Sequence, residues 1–296
     1  MSKILVVTLG GTICSAVEVG DTIKLKGAPE ISFYDKLKGR SEFSYLTPIL
    51  YSSENADEGY YREALSGIIK SCRESRPDGI LIMHGTDSMA YFTQLAVRVL
   101  SFLNVPVIIT GSKLPPDDPH SDAVKNVKYA LGLLEAACDG KLGAITFGVV
   151  YTDSLMGDCV FVPAARVTDA NYRGDYGKFP GKPSVSVLKE NQVDQYLASS
   201  SKKILTIPDV PGFPYESVDP SLYDSILVEA YHSGTQSVKA LPELVRRAAA
   251  VNVKCYLAPA HPGKVKYEST KILIEAGIEP IYDMPIEGAW AEVVIQ

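Results

Sequence analysis

The 296-residue chain has no C-x-x-C pair, no run of five basic residues, and only four histidines (His84, His120, His232, His261), none at metal-ligand spacing. Its five cysteines, Cys14, Cys72, Cys138, Cys159 and Cys255, lie far apart. That scatter excludes the clustered thiolates and imidazoles of a zinc site and predicts small buried hydrophobes. Cys14 is a partial exception because it falls just past a glycine turn. A net charge of −6 argues against a nucleic-acid surface, since phosphate binding is driven by clustered Lys and Arg that displace counterions. No apolar run approaches the roughly 18 residues that span a bilayer. Met1-Ser2-Lys3 leads into Ile4-Leu5-Val6-Val7 and then a glycine turn, not a signal-peptide cleavage site. A soluble, cytoplasmic protein with neither nucleic acid nor membrane as partner is expected.

What the chain does have is apolar content of 46%, ample for burial, and short β-branched runs that alternate with helix-period segments. This pattern predicts an α/β fold with a parallel sheet. Ile4–Thr8, Gly79–Met83, Val105–Thr110 and Leu142–Val150 read as strands of a first domain. Ser88–Leu103 carries Met89, Phe92, Leu95, Ala96, Val99 and Leu103 at helical spacing, with Asp87 or Ser88 as cap. Ser121 is a good N-cap for a second helix that buries Val124, Val127, Leu131, Leu134 and Cys138. From about Asp169 to Ser201 the composition shifts to Gly, Pro, Ser and Lys. We therefore expect an N-terminal α/β domain over 1–180, a linker over 181–202 and a smaller α/β domain over 203–296. The last should hold strands Lys203–Ile207, Ser225–Glu229 and Val253–Leu257, with helices Leu241–Val251 and Tyr267–Ala276, the second closed by Gly277.

Two turns stand out where strands should end: Gly10-Gly11-Thr12 and His84-Gly85-Thr86-Asp87. In an open parallel sheet, ligands bind outside the carboxyl ends of the strands, so the two threonines can share one site despite their sequence separation. A threonine hydroxyl is a poor nucleophile unless a base and oxyanion donors accompany it. Asp87 could orient a base or a substrate amine, and N–H groups around Gly11 and Gly85 could hold an oxyanion. Thr110-Gly111-Ser112 adds a third small turn, and nearby helix N-termini favour an anionic small-molecule substrate. Taken one at a time, each could equally be a plain structural turn.

Together these turns resemble the bacterial-type asparaginase/glutaminase family over nearly the whole chain. Thr8-Leu9-Gly10-Gly11-Thr12-Ile13 is similar to that family's T-G-G-T-I signature with one extra residue, and His84-Gly85-Thr86-Asp87-Ser88-Met89 matches H-G-T-D-T/S-M. Ser53-Glu54-Asn55 resembles S-E-N-M, with Ala56 in the methionine's position. Thr110-Gly111-Ser112-Lys113-Leu114-Pro115, with Ser121-Asp122-Ala123 and Asn126, resembles T-G-S-Q-L-P…S-D-A-x-x-N. Further landmarks are Pro211-Gly212-Phe213, Glu229 to Thr235, and Tyr282 to Glu287. The resemblance implies a parallel-sheet N-terminal domain with a smaller C-terminal α/β domain, and hydrolysis of the side-chain amide of asparagine or a related small amino-acid amide to acid and ammonia. Thr12 would be the nucleophile, Thr86 and Asp87 a second catalytic pair, and Gly11, Ser53, Glu54, Gly85, Ser112 and Thr235 substrate-binding residues, with no metal or cofactor. It also implies a homodimer or homotetramer whose active site lies at the subunit interface, with His232, Ser233 and Thr235 in the segment that reaches into a neighbour.

Two family positions depart. The tyrosine expected near Gly20-Asp21-Thr22-Ile23 is missing, and Thr22 stands closest to its place. The relay lysine is replaced, allowing an insertion, by Arg166 in Ala165-Arg166-Val167. Arginine binds or stabilises anions but cannot act as a base, so the relay is atypical or altered. Arg166 could also be an ordinary surface ion pair, and Lys113 and Lys125 are read as solvated. His84 is read as a brace for its turn. The alternative function is a non-catalytic amino-acid binder or sensor that kept the pocket and lost the relay.

Overall fold

The computed structural model describes residues 1–18, 22–26, 41–142, 146–263 and 266–296. The chain divides into two compact units, Met1–Lys178 with Val187–Ser199, and Phe179–Ser186 with Ser200–Gln296.

In the first unit, β1 (Lys3–Thr8) is followed by a hairpin of β2 (Ser15–Glu18) and β3 (Thr22–Leu25), then by β4 (Glu42–Leu46) and α1 (Glu58–Ser75). Next come β5 (Gly79–Met83), α2 (Met89–Leu100), β6 (Val107–Thr110), α3 (Ala123–Cys138), β7 (Phe147–Thr152) and β8 (Cys159–Pro163). The hairpin β9 (Val167–Ala170) and β10 (Tyr176–Lys178), with α4 (Glu190–Ala198), completes the unit. The main sheet runs in the order β4-β1-β5-β6-β7-β8, with β8 alone antiparallel. From β1 the chain goes to β4 on one side, then crosses by α1 to β5 on the other. The order therefore reverses between β1 and β5, which opens a crevice beyond their carboxyl ends.

The reason these strands sit centrally is legible in their side chains. Ile4, Val6, Leu81, Met83 and Ile108 are fully buried against Val127, Ala130 and Leu134 of α3. Strands buried on both faces read as continuous apolar runs, as Ile4 to Val7 and Ile80 to Met83 do. The expected strand at Leu142–Val150 begins later, at Phe147, and 143–145 fall outside the described residues. Ser88 occupies the N-cap of α2 but makes no capping bond; its hydroxyl donates to the Ser53 carbonyl at 2.8 Å. Asp122, not Ser121, is the N-cap residue of α3, although Ser121 Oγ accepts from the Ala123 N–H at 3.1 Å.

The stretch 181–202, expected to be a linker, carries α4 and is split between the units. The physical reason is burial. Val193 and Tyr196 of α4 are nearly inaccessible, and Tyr196 donates to Glu58 Oε1 of α1 at 2.7 Å. Arg62, one turn along α1, pairs with the same oxygen at 2.6 Å and lies over the Tyr196 ring.

The second unit is a parallel four-stranded sheet in the order β11 (Ile204–Ile207), β12 (Ser225–Glu229), β13 (Lys254–Ala260) and β14 (Glu279–Tyr282). Helices α5 (Leu241–Ala250) and α6 (Glu268–Glu275) follow β12 and β13, and α7 (Ile286–Ile295) closes the sequence. Ile226, Val228 and Leu257 meet Leu241, Leu244 and Ala248 of α5 in one core. Leu227, Tyr256 and Ala258 meet Ala289 and Val293 of α7 in another. Gly277 follows α6 with φ +106°, as its place after the helix predicted. No helix among the described residues is long and apolar enough to cross a membrane.

Glu58 is buried and its Oε2 has no partner among the described residues, so it depends on the bonds its other oxygen receives. Tyr196→Phe should cost about 1–3 kcal/mol, because a buried carboxylate loses a donor that nothing replaces. Chemical denaturation followed at the first unit's transition should show a lower midpoint with an unchanged slope.

Candidate functional site

The two threonine turns meet backbone to backbone. β1 and β5 are neighbours with Thr8 opposite Met83, so the residues that follow each strand emerge side by side. Gly11 has φ +76°, and a Cβ on it would fall 2.0 Å from the Gly85 Cα. No side chain fits there, which explains the glycine at both positions. Gly10, at φ +115°, is pressed the same way against the Tyr51 carbonyl, and the Gly11 N–H donates to that carbonyl at 3.2 Å. The Gly11 N–H is therefore engaged and is not itself an oxyanion donor. The N–H groups of Gly85 and Thr86 have no acceptor among the described residues.

Ser53 joins the pair from a 3-10 turn, Ser53–Asn55, directly before α1. It is buried, and its hydroxyl donates to Asp87 Oδ2 at 3.0 Å while accepting from the Asp87 N–H at 3.2 Å. A Cβ on Gly85 would meet Ser53 Oγ at 2.3 Å, so the serine occupies the space that a larger residue at 85 would need. Gly11, Ser53, Gly85, Thr86 and Asp87 are thus brought together. Glu54, next to Ser53, is exposed.

His84 is fully buried, stacked on Phe92 with ring centroids 4.7 Å apart. Its Nδ1 lies 2.7 Å from the Gly85 carbonyl, which can only accept, so Nδ1 carries the proton. Nε2 is then the acceptor for the Tyr51 hydroxyl at 2.8 Å. Burial pushes the imidazole down to about 4, which keeps it neutral at physiological pH. It braces the turn, as expected. Cys14, the cysteine nearest the first turn, is also fully buried, and burial pushes its thiol up to about 12. A thiol in that state is neither nucleophile nor ligand.

Beyond the strand ends lies a cavity of about 420 Å³ lined by Thr86, Asp87, Lys113, and Asp169 to Gly174. Thr12 is half-buried just past the Gly11–Gly85 contact and is not in this lining. The Thr12 and Thr86 hydroxyls make no hydrogen bond among the described residues, whereas those of Thr93, Thr110, Thr152 and Thr270 are all bonded within the protein. Asp169 is exposed overall but partly desolvated at the cavity; that desolvation, and then the charge of Asp87, push its carboxyl above the usual range. Tyr176, buried just past the hairpin turn that lines the cavity, donates to the Thr86 carbonyl at 2.6 Å. Burial, reinforced by the charges of Asp169, Asp87 and Asp122, raises its phenol well above the ordinary value.

Several sequence readings need correction. Arg166, expected beside Thr86 in place of a lysine, sits on a 3-10 turn, Ala164–Arg166, and does not line the cavity. Its neighbour Val167 is tied by its carbonyl to Gln94 Nε2 of α2 at 3.0 Å, which fixes that turn against the helix. The lysine that lines the cavity is Lys113, read as solvated; it pairs with Asp175 at 2.9 Å. Lys125 is exposed, as read, with its ammonium bonding to the Gly157 carbonyl. Ser112 is buried with its hydroxyl donating to the Leu114 carbonyl at 2.7 Å, so it serves its own loop. Of the four positions proposed for a missing tyrosine, Gly20 and Asp21 lie outside the described residues, while Thr22 and Ile23 are exposed on β3. Thr235 belongs to the second unit, where its hydroxyl pairs with Ser233 Oγ at 2.8 Å in a turn held by Gly234 at φ +71°. Sequence reasoning missed Asp169, Arg173 and Tyr176. Only Lys113 left a trace, as a lysine standing where the resembled stretch has glutamine.

A family model described as "Asparaginase, N-terminal" matches residues 3–156. The D subunit of a glutamyl-tRNA(Gln) amidotransferase from Methanothermobacter thermautotrophicus is 28% identical over 141 residues, 44% of this chain and 30% of the relative. The corresponding D subunit from Metallosphaera sedula is 24% identical over 321 residues, 99% of this chain and 71% of the relative. The chain therefore spans less than a third of the length of the first of these relatives. Among solved structures, the thermostable L-asparaginase of Thermococcus kodakarensis superposes with a TM-score of 0.70 at 22% identity, covering 99% of this chain and 92% of that one. A probable cytoplasmic L-asparaginase of Campylobacter jejuni gives 0.73 at 17% identity, with 100% and 94% covered. At these identities the structural likeness is one of fold.

Two outcomes test the site's construction. Gly11→Ala should destabilise the protein by at least about 3 kcal/mol, since the methyl has no free volume and the backbone is left-handed. Gly132→Ala, in α3 with nothing within 4 Å of its Cβ, should instead stabilise by about 0.5–1 kcal/mol. For His84 the sign follows from its depressed folded value: the unfolded chain takes up the proton first as pH falls. The stability His84 supports is complete above about pH 6.5 and is lost on acidification towards pH 4, by a few kcal/mol, about 1.4 per unit of difference. Urea midpoints measured from pH 7 to pH 4 should fall more steeply in the wild type than in His84→Gln.

Proposed function

The chain belongs to the asparaginase family, and from that premise we propose that it is an amidohydrolase that cleaves the side-chain amide of asparagine or a related small amino-acid amide. The observation that carries this reading is the reciprocal Ser53–Asp87 pair beside the Gly11–Gly85 contact. It holds one carboxylate, with the serine that orients it, at the point where two threonine turns converge.

In this reading Thr12 Oγ attacks the carboxamide carbon. The oxyanion that develops is met by N–H groups of the second turn, where those of Gly85 and Thr86 are unengaged. The C–N bond then breaks, the threonine proton passes by way of Thr86 and Asp87 to the leaving nitrogen, and ammonia departs. Water attacks the resulting ester and restores Thr12. Asp87, with Asp169 on the same cavity, also supplies negative charge for the α-ammonium of the substrate. Tyr176 and His84 take no proton in this scheme, because both are held neutral by burial. Arg166 is given no chemical step. Assembly into a dimer or tetramer with Thr235 of one copy near the site of another is part of the same proposal, as is a cytoplasmic location.

Ammonia release from a panel of L-asparagine, D-asparagine, L-glutamine and N-substituted asparagines should identify a turned-over amide. On that substrate, Thr12→Val and Thr86→Val should each fall by about 10²-fold or more, and Ser53→Ala should chiefly raise KM. If no amide gives release above that of Thr12→Val, while aspartate still binds in a calorimeter, the chain is a binder and the hydrolytic reading is wrong.

A further inference from the structure

Lys113 is the best-held cation at the cavity. Its N–H donates to Asp122 Oδ1 at 2.9 Å, and Asp122 Oδ2 accepts from Asn126 Nδ2, which also donates to the Gly111 carbonyl. Its stem runs beneath Gly174, where a Cβ would come within 3.2 Å of the lysine Cε. The ammonium donates to the Thr152 carbonyl at 2.8 Å, Ser154 Oγ at 2.6 Å and Asp175 Oδ1 at 2.9 Å. An ammonium has three donors, and all three are committed within the protein. It is therefore neither a base nor a free cation for substrate.

What these bonds join is informative. Thr152 ends β7 and Ser154 lies in the loop after it, whereas Asp175 directly precedes β10 in the hairpin whose turn lines the cavity. Asp175 Oδ1 additionally accepts from the Ser154 N–H and hydroxyl, both at 2.8 Å. Burial acts to raise this carboxyl, but the bonds from Lys113 and Ser154 outweigh it and hold it below the usual range. The next residue in the chain is Tyr176, whose hydroxyl meets the Thr86 carbonyl and whose own carbonyl accepts from Tyr151 at 3.1 Å. Tyr176 follows Asp175 directly in the chain as the first residue of β10, so fixing Asp175 limits where the Tyr176 backbone can lie.

We propose that Lys113 is a positioning residue that clamps the β9–β10 hairpin through Asp175, so that Tyr176 holds the Thr86 turn in place. The consequence for chemistry rests on the amidohydrolase reading; the clamp itself does not. A glutamine at 113 has two side-chain donors and no charge, so it cannot satisfy two neutral acceptors and a carboxylate together.

The test is backbone hydrogen exchange of the ligand-free full chain, read by mass spectrometry over 84–88 and 168–178. Lys113→Gln and the milder Asp175→Asn should each raise exchange about tenfold in both segments. The double variant should add little to either single, because one interaction is shared. Lys113→Arg should restore part of the protection. On whichever amide the wild type hydrolyses, Lys113→Gln should lower kcat about tenfold with KM within about twofold. Exchange that rises only in 168–178, or single effects that simply add, would overturn the clamp. A wild type that hydrolyses no amide removes the function proposed above but leaves the exchange result to decide this inference.

Discussion

The approach of Gly11 to Gly85 is the constraint from which the site follows. Two parallel strands that are neighbours in a sheet run about 4.8 Å apart, and the turns leaving them would ordinarily be pushed away from each other by side chains. Here neither residue has one, and the backbones touch. Thr12 and Thr86, one position beyond each glycine, are consequently delivered to the same edge of the sheet. Ser53 completes the wedge by taking the volume next to Gly85 and bonding twice to Asp87. Glycine brings a large loss of chain entropy on folding, and the buried strands on either side, Ile4 to Val7 and Ile80 to Met83, supply the apolar burial that offsets it.

Around this edge, groups that could titrate near neutrality are kept neutral, and charge is confined to carboxylates and their partners. His84 is buried as a single tautomer between Tyr51 and the Gly85 carbonyl. Tyr176 is a donor that keeps its proton. Lys113 spends its charge on Asp175. Asp87 and Asp169 are left on the cavity surface as its negative groups, with Arg173 beside them on the hairpin turn. In the proposed reading, this arrangement is what meets the ammonium and the carboxylate of an amino-acid amide.

The local signals were legible where one element contains the whole message. Gly79–Met83 and Ser225–Glu229 begin and end where β-branched and aliphatic runs predict, because burial on both faces leaves no other reading. α4 was not legible: nine residues with only Val193 and Tyr196 buried carry too little periodicity, and its place is set by Glu58 and Arg62 on a distant helix. The place of Arg166 was not legible for a similar reason. Aligning three letters across an insertion gives no information about the Gln94–Val167 bond that draws the turn to α2.

The sequence by itself determined the α/β class, the strand ends that carry threonine, and the residue types able to sit there, because glycine, hydroxyl and aspartate in those turns have local physical consequences. Which cation, which tyrosine and which second carboxylate stand around Thr86 was decided only by tertiary structure. Lys113, Asp169 and Tyr176 come from loops and a short hairpin, and Lys113 and Tyr176 are placed by bonds to residues 39 to 90 positions away. Proximity of that kind is a property of the packed chain, and no local pattern of residues encodes it.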